Sequence, residues 1–80
     1  MSTAVMPVSK TVLVFKTSVE TTRQVNVLRP LLDGIMAEHE KWNFDLEDCD
    51  RILRVESVFL SIERVIETVK GTGFWCEELE

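Results

Sequence analysis

The stretch from Lys10 to Leu32 constrains the fold of this 80-residue chain more than any other. It opens with an almost entirely apolar run, Thr11 to Lys16, whose β-branched and aromatic residues predict a central strand. After a short loop, Thr21 and Gln24 have the spacing of a capping box, in which the two side chains satisfy free backbone amides at a helix start. The stretch therefore predicts a buried strand, a loop and a helix, in that order.

The first helix carries a single apolar stripe whose members recur at helical spacing. Pro30 interrupts this stripe and removes a backbone hydrogen bond to Asn26, so we expect a kink or a tightened first half there. The helix is expected to end near Glu38 or His39. The stripe consists of Val25, Leu28, Leu32, Ile35 and Met36.

Two further segments follow and predict the strands of a β-hairpin. From Lys41 to Asp48, apolar and polar residues alternate strictly, which indicates a strand with one solvent-facing side. A polar turn, Asp48 to Asp50, leads into a second strand from Arg51 to Ser57. The expected core face comprises Trp42, Phe44, Leu46, Leu53 and Val55, whereas Ile52, Arg54 and Glu56 are expected to face outward.

The remaining residues predict a second helix and a short last strand. Ser57 is the expected N-cap, and Lys70 and Gly71 close the helix with a cation and a glycine. The last strand is expected from Phe74 to Glu77 or a little beyond, with Cys76 on the inward face. The helical stripe consists of Val58, Ile62, Val65, Ile66 and Val69.

The element order β-α-β-β-α-β predicts an α+β fold. With right-handed crossovers it closes into a four-stranded antiparallel sheet of order 4-1-3-2 with both helices on one face, the ferredoxin-like arrangement. Residues 1–9 are expected to form a flexible tail, and residues 10–80 a single domain. The predicted core is Leu13, Phe15, Leu28, Leu32, Ile35, Trp42, Phe44, Leu46, Leu53, Val55, Ile62, Ile66, Val69 and Phe74.

The charge balance of the chain argues against two classes of partner. Fourteen acidic and nine basic residues give a net charge of −5, which opposes binding to nucleic acids and anionic membranes. The N-terminal segment lacks signal-peptide features, and no apolar run reaches membrane-spanning length. Two cysteines are fewer than a stapled secreted domain normally carries, so both are expected to stay reduced in a cytoplasmic protein.

The chain offers little catalytic or metal-binding chemistry. One histidine and two scattered cysteines do not supply a nucleophile, a base and an orienting group, and no glycine-rich phosphate loop is present. We therefore expect neither an enzyme nor a cofactor. Cys49, between Asp48 and Asp50, is the one candidate for a non-standard metal ligand, and a solvated turn is the simpler interpretation.

Three segments of the chain resemble the heavy-metal-associated domain family, which includes copper chaperones and the N-terminal modules of metal-transporting ATPases. Phe44 to Glu47 resembles the second strand of that family, and Arg51 to Val55 resembles its third strand. Gly73-Phe74 resembles a residue pair near the end of the family's domain. The resemblance covers about residues 10 to 79. It implies the family's ferredoxin-like fold.

The resemblance also identifies the positions of the family's metal loop, which has the form M-x-C-x-x-C with apolar residues four and eight positions later. With Val19 aligned to the methionine, Thr21 and Gln24 take the two cysteine positions. Leu28 and Leu32 take the apolar positions. Soft metals such as Cu(I) bind thiolates, which neither threonine nor glutamine supplies. The chain thus resembles a degenerate member without soft-metal ligands, and bound metal is not expected.

The open face of the predicted sheet gives the main functional hypothesis. The strand order places Trp75 beside Val12 and Val14, and these beside Ile52. A tryptophan among three aliphatic side chains on a solvent-facing surface is typical of a partner site, although such sheets also tolerate exposed aliphatics, and the N-terminal tail is another candidate cover. We expect a protein-interaction or self-association module that uses this face.

Two other functions stay open at this point. The first is metal binding or trafficking through Cys49 or carboxylates in place of the usual cysteine pair. The second is a small-ligand sensor, as in amino-acid-binding domains of the same topology. RNA-recognition domains also share this topology, but they need aromatic residues on the open face and basic surroundings, which this chain lacks.

Overall fold

The computed structural model describes residues 11–37, 40–58 and 60–79. Within these ranges the chain forms four strands and two helices in the predicted order. The predicted tail, residues 1–9, lies outside the described residues. The elements are β1 (Thr11–Thr17), α1 (Thr22–Ile35), β2 (Lys41–Asp45), β3 (Ile52–Ser57), α2 (Ile62–Lys70) and β4 (Cys76–Glu78).

The strands form one antiparallel sheet of order β2-β3-β1-β4. This is the predicted order read from the opposite edge, so the α+β architecture and its sheet are confirmed. The central strands β1 and β3 pair from Thr11 opposite Ser57 to Lys16 opposite Ile52. Strands β2 and β4 form the two edges of the sheet.

A single hydrophobic cluster joins one face of the sheet to both helices. Phe15 and Leu53 from the central strands are fully buried together with Leu28 of α1 and Val65 of α2, which confirms the predicted core face of β1 and β3. The other fully buried members are Val19, Leu32, Val55, Val69 and Cys76. The predicted core residues that pack against this cluster while only partly buried are Leu13, Ile35, Trp42, Phe44, Leu46, Ile62, Ile66 and Phe74.

Helix α1 begins where the sequence predicted but ends before the predicted end. Thr21 is its N-cap, and the helix continues through Pro30 to Ile35. The expected end near Glu38 or His39 is wrong, because Met36 already has extended backbone angles. The carboxylate of Glu40 accepts the N–H of Ala37 (2.7 Å), so a side chain beyond the helix binds the backbone that leaves it.

The hairpin strands are shorter than predicted, because local side-chain and backbone geometry ends each of them. Strand β2 ends at Asp45, whose carboxylate accepts the N–H of Glu47 (3.2 Å) and closes a turn. Strand β3 begins at Ile52 because Arg51 adopts a left-handed conformation with φ 50°. Leu46 lies beyond β2 but still packs against the core.

The predicted N-cap of the second helix is wrong. Ser57 is the last residue of β3, and its hydroxyl donates to the Glu40 carboxylate and accepts the N–H of Leu60. Helix α2 is instead capped by Ser61, whose hydroxyl accepts the N–H of Arg64 (3.1 Å). Both serines have capping chemistry, but Ser57 pairs with Thr11 as the last residue of β3 and its hydroxyl hydrogen-bonds to Glu40. The predicted close at Lys70 and Gly71 is confirmed.

Candidate functional site

The loop before α1 holds the two positions that the resemblance assigned to metal-binding cysteines. Thr21 Oγ1 accepts the N–H of Gln24 (3.1 Å), and Gln24 Oε1 accepts the N–H groups of Thr21 (3.2 Å) and Glu20 (2.6 Å). The predicted capping box is therefore confirmed in both directions. Both side chains serve the helix start, which accounts for these residue types without a ligand.

The residues around this loop are anchored in the core. Val19, at the position aligned to the family's methionine, is fully buried, and so are Leu28 and Leu32. The N–H of Val19 donates to the hydroxyl of Thr17 (3.2 Å), which in turn donates to the carbonyl of Arg51 (2.7 Å). These bonds place the hairpin turn at the same end of the sheet as the loop.

The hairpin turn contains the potential metal-ligating group that the described residues offer. One ligand atom from each of Asp48, Cys49 and Asp50 lies within 4.8 Å of the others. Asp48 Oδ1 already accepts the N–H of Asp50 (2.9 Å), and Asp50 pairs with Lys16 Nζ (3.8 Å). Both carboxylates therefore stabilise the turn, and the thiol of Cys49 is exposed.

Cys76 has the opposite environment, because its side chain lies in the core. Burial raises the pKa of this thiol from 9.0 to about 11; Lys70 opposes the shift and Glu77 adds to it. The folded chain thus keeps the proton at pH values where the unfolded chain releases it. Stability from this group is complete below pH 9 and is lost as the pH rises toward about 11.

We expect the free energy of unfolding to fall by about 2 kcal/mol more between pH 9 and 11 in the wild type than in Cys76→Ala. Urea denaturation across this range measures the difference, and the comparison with Cys76→Ala removes every contribution that the two proteins share. Parallel pH profiles for the two proteins would contradict the assignment.

The open face does not form the aliphatic patch that the sequence predicted. Val12 is 54% exposed and Val14 is partly buried, but Ile52 is only 5% exposed, so its expected outward exposure is wrong. Ile52 lies directly between Lys16 and Asp45 in register.

Trp75 is half exposed, as expected, but it lies at the far end of β1 from Val12. The N–H of Ser18 donates to the carbonyl of Trp75 (3.2 Å), and the N–H of Trp75 donates to Ser18 Oγ (2.7 Å). Ser18 is four residues beyond Val14, about 13 Å along a strand. The ammonium of Lys70 lies 4.6 Å from the centroid of the indole ring. The predicted contact of Trp75 with Val12 and Val14 is therefore wrong.

Charged residues occupy much of the open face. Lys41 lies opposite Glu56, and Asn43 lies opposite Arg54. Arg54 also pairs with Asp45 (3.9 Å). Val12 and Val14 thus lie opposite the charged residues Glu56 and Arg54, which argues against one continuous apolar interface there.

The structure instead reveals a groove of about 540 Å³ on the helix side of the sheet, between α1 and the edge strand β2. Trp42 lines the groove. Its indole N–H donates to Asp33 Oδ1 (2.8 Å), and the Arg29 guanidinium lies 5.5 Å from its ring centroid. Phe44 meets Trp42 edge to face, with ring centroids 5.9 Å apart. The apolar lining comprises Val25, Met36, Trp42, Phe44 and Leu46.

No protein-family model, no curated protein and no solved structure matches this chain. None of the helices in the described ranges has the length and apolar character needed to cross a membrane.

Sequence reasoning missed the groove because Trp42 and Phe44 were counted as core residues. Both face inward as predicted, but β2 is an edge strand and α1 leaves their rings partly uncovered. The sequence did contain one signal. An inward-facing tryptophan needs a partner for its N–H, which indicates the margin of a core more than its centre.

Proposed function

We propose that this protein is a non-enzymatic protein-interaction module whose binding surface is the groove between α1 and β2, together with the outer edge of β2. The groove carries the proposal: Trp42, Phe44 and Met36 are partly exposed beside an edge strand. Arg29 and Asp33 supply charge at its rim. Aromatic and arginine side chains around an apolar pocket are the usual anchors of protein interfaces.

We further propose that the scaffold is ferredoxin-like and related to heavy-metal-associated domains, without their soft-metal site. The element order and the strand order support the fold assignment. The capping box formed by Thr21 and Gln24 supports the loss of metal binding, because both side chains already hold the helix start. The two unpaired cysteines agree with a reducing, cytoplasmic location.

The location of the groove also suggests how a partner binds. An extended segment that pairs with the edge of β2 directs alternate side chains to the helix side of the sheet, where the groove lies. Main-chain hydrogen bonds then supply affinity, and the groove selects apolar side chains. This mode needs no catalytic group.

Selection of displayed random peptides on the immobilised protein tests the proposal. We expect enriched peptides to bind about tenfold more weakly to Arg29→Glu, since reversing an arginine anchor costs at least that much. Arg23→Glu is the matched control, because it makes the same charge change on the same helix away from the groove lining. Equal binding to both variants, or no enrichment over an unrelated protein, would refute the groove as the binding surface.

The turn formed by Asp48, Cys49 and Asp50 favours a second candidate, metal binding through non-standard ligands. The three ligand atoms lie close together at an exposed site. If this turn binds a metal, micromolar Zn(II) slows alkylation of Cys49 by iodoacetamide. An unchanged rate eliminates this candidate.

A further inference from the structure

The backbone hydrogen bonds define which peptide groups lie on the free edge of the sheet. Residues in an antiparallel pair alternate between bonding one neighbouring strand and bonding the other. The carbonyl of Val14 accepts from Leu79 on the β4 side, whereas the N–H of Thr17 donates toward β3. The odd-numbered residues of β1 and β3 therefore bond each other, and the even-numbered residues of β3 bond β2.

It follows from the register that β3 is bonded by the odd-numbered residues of β2, since Asn43 lies opposite Arg54 and Asp45 opposite Ile52. The peptide groups of Trp42 and Phe44 then point outward from the edge. An incoming strand meets these two groups, and their rings lie on its helix side.

The sequence of β2, Lys-Trp-Asn-Phe-Asp, is complementary to itself in the antiparallel direction. A two-fold axis through Asn43 places Lys41 of one copy opposite Asp45 of the other. The same axis places Trp42 opposite Phe44. Opposite charges and aromatic pairs are the cross-strand combinations that stabilise a sheet.

From this complementarity we propose that the partner of the β2 edge is a second copy of this chain, paired through β2 across a two-fold axis to form one continuous eight-stranded sheet. This inference rests on the proposed function and names the partner of the same surface. Asn43 lies opposite its own copy in a non-hydrogen-bonded pair. The outward peptide groups of Trp42 and Phe44 form the hydrogen-bonded pairs on either side of it.

Pairing of the two copies also covers the groove. Trp42 and Phe44 are on the helix side of β2, so each ring contacts a ring of the second copy at the mouth of both grooves. On the opposite side, Lys41 and Asp45 form the charge pairs. In this arrangement the aromatic side chains of the edge strand contact each other on one side of the sheet, and its charged side chains form pairs on the other side.

The other edge of the sheet does not support the same pairing. Strand β4 consists of Cys76, Glu77 and Glu78, and antiparallel self-pairing would bring its carboxylates together. Pairing of β2 with β4 of the next copy is head-to-tail and would grow into an open filament. Of the two edges, β2 alone is self-complementary and gives a closed dimer.

Sedimentation velocity of two charge-reversed variants tests the inference. Lys41→Glu places like charges opposite each other in its own pair, and so does Asp45→Lys. We expect each variant alone to dimerise about tenfold or more weakly than the wild type, because like charges directly opposite destabilise a strand pair. An equimolar mixture is expected to form a mixed dimer, because the new glutamate then faces the new lysine.

The mixture controls for effects within each chain. Asp45→Lys removes the ion pair with Arg54 in the mixture as much as alone, so recovery reports only the contact between copies. Arg23→Glu and Glu67→Lys make the same charge changes at exposed helix positions and are expected to dimerise like the wild type. Circular dichroism verifies that each variant is folded.

A wild type that stays monomeric at about 1 mM would overturn the inference, since specific dimers form well below that concentration. A mixture that does not associate more strongly than its components would also overturn it. These outcomes are distinct from the outcome that would refute the proposed function. The proposed function is refuted if binding of the selected peptides does not depend on Arg29. A monomer that still binds such peptides removes the second copy and leaves the groove as the binding surface.

Discussion

Replacing both Thr21 and Gln24 with cysteine is expected to create a chain that retains about one Cu(I) ion per molecule, whereas the wild type retains none. The two side chains already meet across the first turn of α1, where each one accepts a backbone N–H of the other residue. A helix N-terminus also favours thiolate, the form that binds a soft metal. The double variant therefore supplies the thiolate pair that the loop lacks at Thr21 and Gln24.

Copper retention against a chromogenic Cu(I) chelator under reducing conditions measures the effect. The double variant, the single variants and the otherwise wild-type reference protein all carry Cys49→Ser, so that copper retention depends on the introduced cysteine pair alone. The single variants Thr21→Cys and Gln24→Cys are the controls and are expected to lose the metal to the chelator. Loss of the N-cap costs about 1 kcal/mol of stability, which circular dichroism monitors.

Two outcomes would change the interpretation of the scaffold. A double variant that retains no copper would show that the loop does not resemble a metal loop in geometry. A wild type with Cys49 intact that retains copper would contradict the absence of a soft-metal site and redirect attention to the turn at Asp48.

The second large effect is expected at Glu40, where Glu40→Ala should lower the free energy of unfolding by about 3 kcal/mol. Its carboxylate accepts the N–H of Ala37 (2.7 Å), the N–H of Val58 (2.9 Å) and the hydroxyl of the buried Ser57. Truncation leaves these donors without the acceptor that now satisfies them. An 80-residue domain has roughly 4–12 kcal/mol of total stability, so the loss is a large part of it.

Urea denaturation of three variants separates the role of Glu40 from that of a surface charge. Glu40→Gln keeps one acceptor oxygen and is expected to lose about half as much stability as Glu40→Ala. Glu56→Ala removes an exposed carboxylate on the open face and is expected to change stability by less than about 0.5 kcal/mol. Equal losses for Glu40→Ala and Glu56→Ala would contradict the bridging role of Glu40.

The contacts of Glu40 also explain why one end of α1 was predictable and the other was not. The helix start depends on Thr21 and Gln24, which are three residues apart, and the sequence predicted it to the residue. The helix end depends on a carboxylate that binds both the chain leaving α1 and the end of β3. The contact with Val58 joins residues 18 positions apart in sequence, and no local pattern reports it.

The same distinction applies to Ser57 and Ser61. A serine before a helical stripe is a good N-cap, and the local pattern does not choose between these two. The choice depends on Glu40, which engages the hydroxyl of Ser57 at the end of β3. Helix α2 consequently starts at Ile62, after the cap at Ser61.

The sequence predicted that the chain has a candidate interaction surface, but it did not predict where that surface lies. Strand parity correctly assigned the inward side chains of β1, but exposure depends on neighbours across the sheet. Ile52 is buried between charged side chains, and Trp75 lies beside Ser18 because β4 pairs only with the last part of β1. The groove at Trp42 arises because α1 leaves the inward side of an edge strand partly covered.

The sequence by itself determined the order of the elements, the inward faces of the central strands, the capping box and the absence of a sulfur pair at Thr21 and Gln24. Each of these depends on residue type at short spacing, where sterics and hydrogen bonding act locally. Tertiary structure alone decided where α1 ends, which serine caps α2, which side chains are exposed and where the groove lies. These depend on contacts between distant segments, whose strength is set by packing and charge in three dimensions.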